Sequence, residues 1–73
     1  MEYRITCILK AVTEDSIMVT DLGGIDPQGE RWTMSVEEAA EAIVAGDRFV
    51  LGDSPLAAID PASKALLKLP SCP

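Results

Sequence analysis

The chain has 73 residues, 48% hydrophobic and 25% charged, with twelve acidic against six basic side chains and a formal net charge of −6. That length and composition fit one small folded domain and argue against a disordered chain. The basic residues Arg4, Lys10, Arg31, Arg48, Lys64 and Lys68 are scattered singly among the acids, which argues against binding a phosphate backbone or an anionic membrane.

The start, Met1-Glu2-Tyr3-Arg4-Ile5, lacks the basic and apolar regions of a signal peptide, and no apolar run is long enough to span a bilayer. A cytoplasmic location is the resulting expectation. In that compartment Cys7 and Cys72 are expected as reduced thiols. A domain this small buries only about 60% of the surface its unfolded chain exposes. A staple or a partner, a homodimer included, would offset that deficit.

Residues 3 to 10 alternate. Tyr3, Ile5, Cys7 and Leu9 fall on one side; Arg4, Thr6, Ile8 and Lys10 fall on the other. Period two predicts a half-buried strand. Thr13-Glu14-Asp15 breaks it, and Ile17 to Leu22 is the next strand, so the pair reads as an antiparallel hairpin. Gly23-Gly24 is taken to end the second strand. Asp26-Pro27-Gln28-Gly29 has the residue order of a type I turn.

Arg31 to Met34 forms a third strand, with Trp32 and Met34 on one face. Trp32 is read as a core anchor, and a surface role for it is the minority reading. Ser35 and Glu38 make a capping box. Val36, Ala39, Ala40, Ile43 and Val44 recur at helical spacing, and Gly46 supplies the stop. A helix over 36–45 follows. Its Glu37 and Glu41 read as a solvated face.

Arg48 to Leu51 is a fourth strand, Gly52-Asp53-Ser54-Pro55 a turn, and Leu56 to Ile59 a weak fifth strand. Asp60-Pro61 resembles an N-cap and N1 pair, predicting a short helix over 61–68 that stops before Pro70. The competing reading is an extended tail that lays its leucines over the sheet. Together these elements predict an α+β fold: an antiparallel sheet of three to five strands, one packed amphipathic helix, and a C-terminal helix or tail. The expected core is Ile5, Cys7, Leu9, Val19, Trp32, Met34, Ala39, Ile43, Phe49 and Leu67.

Several patches, in order along the chain, resemble a family of small prokaryotic proteins known only as a domain of unknown function. They are Ile5-Thr6-Cys7-Ile8, Leu22-Gly23-Gly24, Gly29 to Ser35 running into Glu38-Ala39, and Leu66-Leu67-Lys68-Leu69-Pro70-Ser71-Cys72-Pro73. The last matches that family's L-L-x-L-P-x-C-P ending and is the most specific. Between Phe49 and Ser63 the chain is shorter than the family pattern and lacks its aromatic strand. The resemblance implies a small α+β domain in a prokaryotic cell. It implies no activity, cofactor or catalytic residue.

No residue is assigned a catalytic, cofactor-binding or metal-ligating role. With no histidine, a His-dependent triad is ruled out. Two cysteines make a poor zinc site. Asp21, Asp26 and Glu30 lack EF-hand spacing, and Gly23-Gly24 lacks the phosphate-loop pattern. Cys7 is read as a small buried hydrophobe. If the tail folds back along the first strand, Cys7 and Cys72 could form a disulfide. The expected function is a non-enzymatic interaction or binding module, and the alternative is a small enzyme or redox accessory using Cys72.

Overall fold

The computed structural model describes residues 1–12, 18–61 and 63–73. The expected polar break at Thr13-Glu14-Asp15, the strand start at Ile17 and the Ala62 position lie outside them. The fold is α+β, a five-stranded sheet with one helix packed on it and a short second helix.

The first strand, β1 (Glu2–Ile8), runs on to β2 (Ala11–Val12), and β3 (Met18–Val19) leads back into β4 (Asp21–Ile25). The two arms pair antiparallel, β1 with β4 and β2 with β3, as the expected hairpin requires. Leu9 N–H to the Asp21 carbonyl (3.0 Å) and Thr20 N–H to the Lys10 carbonyl (3.1 Å) join the two ladders.

The side-chain phase of β1 differs from strict alternation. Its register slips between Ile5, opposite Gly24, and Cys7, opposite Gly23. One extra residue, Thr6, flips everything after it. Ile8 therefore joins Ile5 in the core at 3% exposure, while Leu9 is 39% exposed and Cys7 is half-buried on the other face.

Gly23 and Gly24 do not end a strand; both are buried in the middle of β4. A tight turn follows. Gly29 N–H bonds to the Asp26 carbonyl (2.9 Å), and the Asp26 carboxylate accepts the N–H groups of Gln28 (3.0 Å) and Glu30 (2.8 Å). The next strand, β5 (Arg31–Ser35), pairs antiparallel with β4 and passes directly into α1 (Val36–Val44).

Both ends of α1 are capped at the expected residues, the N-terminus by the Ser35 half of the capping box. The Ser35 hydroxyl accepts the Glu38 N–H at 3.1 Å. At the other end Gly46 (φ 108°) and Asp47 donate to the carbonyls of Ile43 and Ala42, the paired bonds of a Schellman motif. The buried stripe is narrower than the spacing implied. Ala39 is fully buried and Val36, Ala42 and Ile43 pack on the core, but Ala40 is exposed and Val44 is 89% exposed.

After α1 the chain enters β6 (Arg48–Leu51), which lies beside β1 and parallel to it. The sheet order is β5-β4-β1-β6-β7, so the sheet is mixed rather than wholly antiparallel. The reason is the connection. A helix between β5 and β6 carries the chain across the sheet, and such a crossover returns a strand in the parallel sense.

The two-residue link Gly52-Asp53 (Gly52 φ 63°) turns β6 into β7 (Ser54–Leu56). The weak strand expected at 56–59 thus lies earlier, with only Leu56 in common. Ile59 is buried in the loop that follows. The last helix, α2 (Lys64–Leu67), is also shorter than 61–68 and has Ser63, not Asp60, at its N-cap.

The core lies between the α1 side of the sheet, α1 and α2. Ile5, Ile8, Val19, Leu22, Ala39, Phe49, Ile59 and Leu66 form it, with Tyr3, Trp32, Met34, Ile43 and Leu67 packed against it. Phe49 is fully buried, stacked on Tyr3 at 4.9 Å and met edge-on by Trp32 at 6.0 Å. Trp32 is therefore a core anchor, as read, and its ring also meets Tyr3 at 5.1 Å.

Candidate binding groove

The face of the sheet turned away from α1 carries a single row of side chains across all five strands. Cross-strand neighbours share a face, so Arg31, Ile25, Arg4, Val50 and Pro55 stand in line. Arg48 opposite Glu2 stands one row beyond. Three of the chain's six cations thus occupy one face, against Glu2 and Asp21 there. The Arg4 guanidinium donates to the Gly52 carbonyl, which carries its stem toward β6 and leaves Arg31 as the cation nearest the tail.

The C-terminal residues return alongside β1, on its side away from β4. Ile8 N–H donates to the Pro70 carbonyl (3.0 Å) and Cys72 N–H to the Ile8 carbonyl (2.9 Å), with Ser71 bridged in parallel to Ile8. That placement brings Cys72 to Cys7. Their Cα atoms are 5.0 Å apart and the sulfurs are bonded. The expectation of two reduced thiols is corrected: the bulge at Thr6 turns Cys7 out of the core, and the returning tail meets it.

Glycine at 23 and 24 now has a cause. A Cβ on Gly23 would lie 2.7 Å from Cys72 Sγ and 2.8 Å from Cys7 Sγ. One on Gly24 would lie within 2 Å of the Arg4 carbonyl oxygen, inside any permitted contact. The two glycines let the disulfide lie over β4 and the bulged β1 close on the edge of β4.

Between this tail and β5 runs a groove of about 380 Å³. Its floor is Thr6, Gly24 and Ile25; the disulfide and Pro70 to Pro73 form one wall, and Arg31 and Thr33 form the other. Leu9 and Ile25, both exposed, make it apolar. No Asp or Glu side chain lines it among the described residues, and its one charged side chain is Arg31. A second hollow near Pro61 has Glu37 and no cation on its wall.

This arrangement can hold an anionic, partly apolar group. It lacks the paired acid and base of proton-transfer chemistry. Cys72, the residue of the alternative redox reading, is bonded to Cys7, so nucleophilic use of it requires the reduced form. Among the described residues no three Cys, Asp or Glu side chains cluster as a metal site. None of the described helices is long and apolar enough to cross a membrane.

Sequence reasoning raised the Cys7–Cys72 pairing only on condition that the tail return. It missed Ile25, Arg31 and Thr33 as a surface, because they become neighbours through pairing across strands and through no local motif. No family model matches the chain, and neither the curated proteins nor the solved structures gave a match to it.

Proposed function

We propose that this protein is a non-enzymatic binding module whose groove holds an acidic, apolar-bearing segment of a partner protein. The observation that carries the reading is Arg31. It stands without a carboxylate partner among the described residues, at the rim of an apolar groove, in a chain of net charge −6. A carboxylate of the segment accepts from the guanidinium, and a neighbouring apolar side chain lies against Ile25, Leu9 and the disulfide. Charge-assisted bonds to Arg supply orientation, and the apolar floor supplies most of the affinity.

The proposal includes membership of the small prokaryotic family that the L-L-x-L-P-x-C-P ending resembles. What supports it is that the ending's residues each have a task. Leu66 is buried, Leu69 packs on the core, the Pro70 carbonyl accepts from β1, and Cys72 closes the wall. The proposed setting is prokaryotic and cytoplasmic. There the disulfide is open to reduction.

Fluorescence anisotropy with a labelled peptide of alternating aspartate and leucine tests the reading. Binding should weaken with salt and fall by about tenfold or more for Arg31→Glu, the size of one charge-assisted contact. Equal binding by Arg31→Glu, or equal binding of a lysine–leucine peptide, contradicts it.

A further inference from the structure

The two edges of the sheet are not alike. β7 carries Pro55, which has no N–H to offer an incoming strand. β5, Arg-Trp-Thr-Met-Ser, carries no proline, lysine or bulge, the usual devices that blunt an edge.

Which backbone groups face outward from β5 follows from the ladder. Asp26 donates to the Glu30 carbonyl at 2.8 Å just beyond its end, and Val36 donates to the Thr20 carbonyl at 3.3 Å at the other. Hydrogen-bonded pairs alternate between these points, so Trp32 and Met34 bond inward to β4. Arg31 and Thr33 hold their N–H and C=O groups outward, and among the described residues none meets them.

We propose that two copies of the chain pair antiparallel through β5 about a twofold axis at Thr33, and that this pairing completes the groove. In that register Thr33 faces the partner's Thr33 and the two exchange both backbone bonds. Arg31 faces the partner's Ser35, and Trp32 faces the partner's Met34. No like charges oppose each other, and two side chains that are half-buried in one copy extend each other's cover. The register centred on Arg31 would set two guanidinium groups face to face, which selects against it. Arg31 and Thr33 line the groove and also form the edge. The partner's Ser35 and Thr33 hydroxyls therefore arrive on the groove's open side. The inference stands apart from the acidic-segment reading, since it rests on the backbone of β5.

Sedimentation equilibrium from micromolar to millimolar protein is the test. The expected result is a mass rising from 7.8 kDa toward twice that value. Thr33→Pro removes an outward N–H that serves no bond within the sheet and should hold the protein at the monomer mass. Thr33→Arg, exposed and opposed to itself across the axis, should do the same, and it decides the matter if the proline variant fails to fold. A wild-type mass that stays at 7.8 kDa throughout overturns the proposal. So does a folded Thr33→Arg that associates like wild type.

Discussion

Gly23 lies beneath the Cys72 sulfur so closely that a single methyl group there would come within 2.7 Å of it. The disulfide is tied at both ends and cannot swing aside, so Gly23→Ala should destabilise by about 1–3 kcal/mol, the usual range for overpacking. The penalty should shrink in a Cys7→Ser/Cys72→Ser background, where the smaller oxygens are free to part. Urea denaturation of the four proteins gives the coupling between the sites directly. Additive losses would contradict the contact. Gly24→Ala meets backbone at Arg4 and should be the worse of the two substitutions.

Reduction should be felt by the whole fold. The bond joins residues 65 apart, and closing a loop of that length stabilises by about 4 kcal/mol in the chain-entropy model. Small domains have roughly 5–10 kcal/mol in total. Thermal melting with and without dithiothreitol should therefore show a large fall in midpoint. Before unfolding, the reduced form should expose the amide protons of Ser71 and Cys72 to exchange ahead of those in β4. An unchanged midpoint would contradict this account of the tail.

Phe49 is the keystone of the aromatic cluster, fully buried between Tyr3 and Trp32. Phe49→Ala should cost about 3–5 kcal/mol, enough to leave much of the protein unfolded. Trp32 fluorescence reports it without a label, since Trp32 is the only tryptophan. Its emission should shift toward that of solvated indole.

The caps of α1 predict smaller, separable losses. Ser35→Ala removes the acceptor of the Glu38 N–H and should cost about 1 kcal/mol. Gly46→Ala forces a side chain into φ 108° and should cost at least as much. Chemical denaturation resolves both. A neutral result at Gly46 would mean that the Schellman closure is not formed.

What was legible in the sequence was what local chemistry decides. Ser35, Gly46 and the Asp26-Pro27-Gln28-Gly29 turn each act within a few residues, and all three stand where they were read. What was illegible depends on distant segments. Thr6 became a bulge, and so moved Ile8 into the core and Cys7 out of it, because of how β1 meets β4. Gly23-Gly24 looked like strand-ending punctuation, yet the residues are small because a disulfide and a carbonyl lie against them. The parallel placement of β6 follows from the route of α1, which no periodicity encodes. Val44 kept the helical spacing of its neighbours but lies past the part of α1 that the sheet covers. For the groove, Ile25, Arg31 and Thr33 carry no shared motif; strand register alone assembles them.

The central claim is that the tail, held to β1 by Cys7–Cys72, forms with Arg31 the surface that this protein uses. Amide chemical shifts of the oxidised protein, followed while the aspartate–leucine peptide is added, test it most directly. The account predicts that perturbations gather at Thr6, Leu9, Ile25, Arg31, Thr33 and Cys72. Shifts confined to the Glu37–Glu41 side of α1, or no saturable shifts at all, would contradict it.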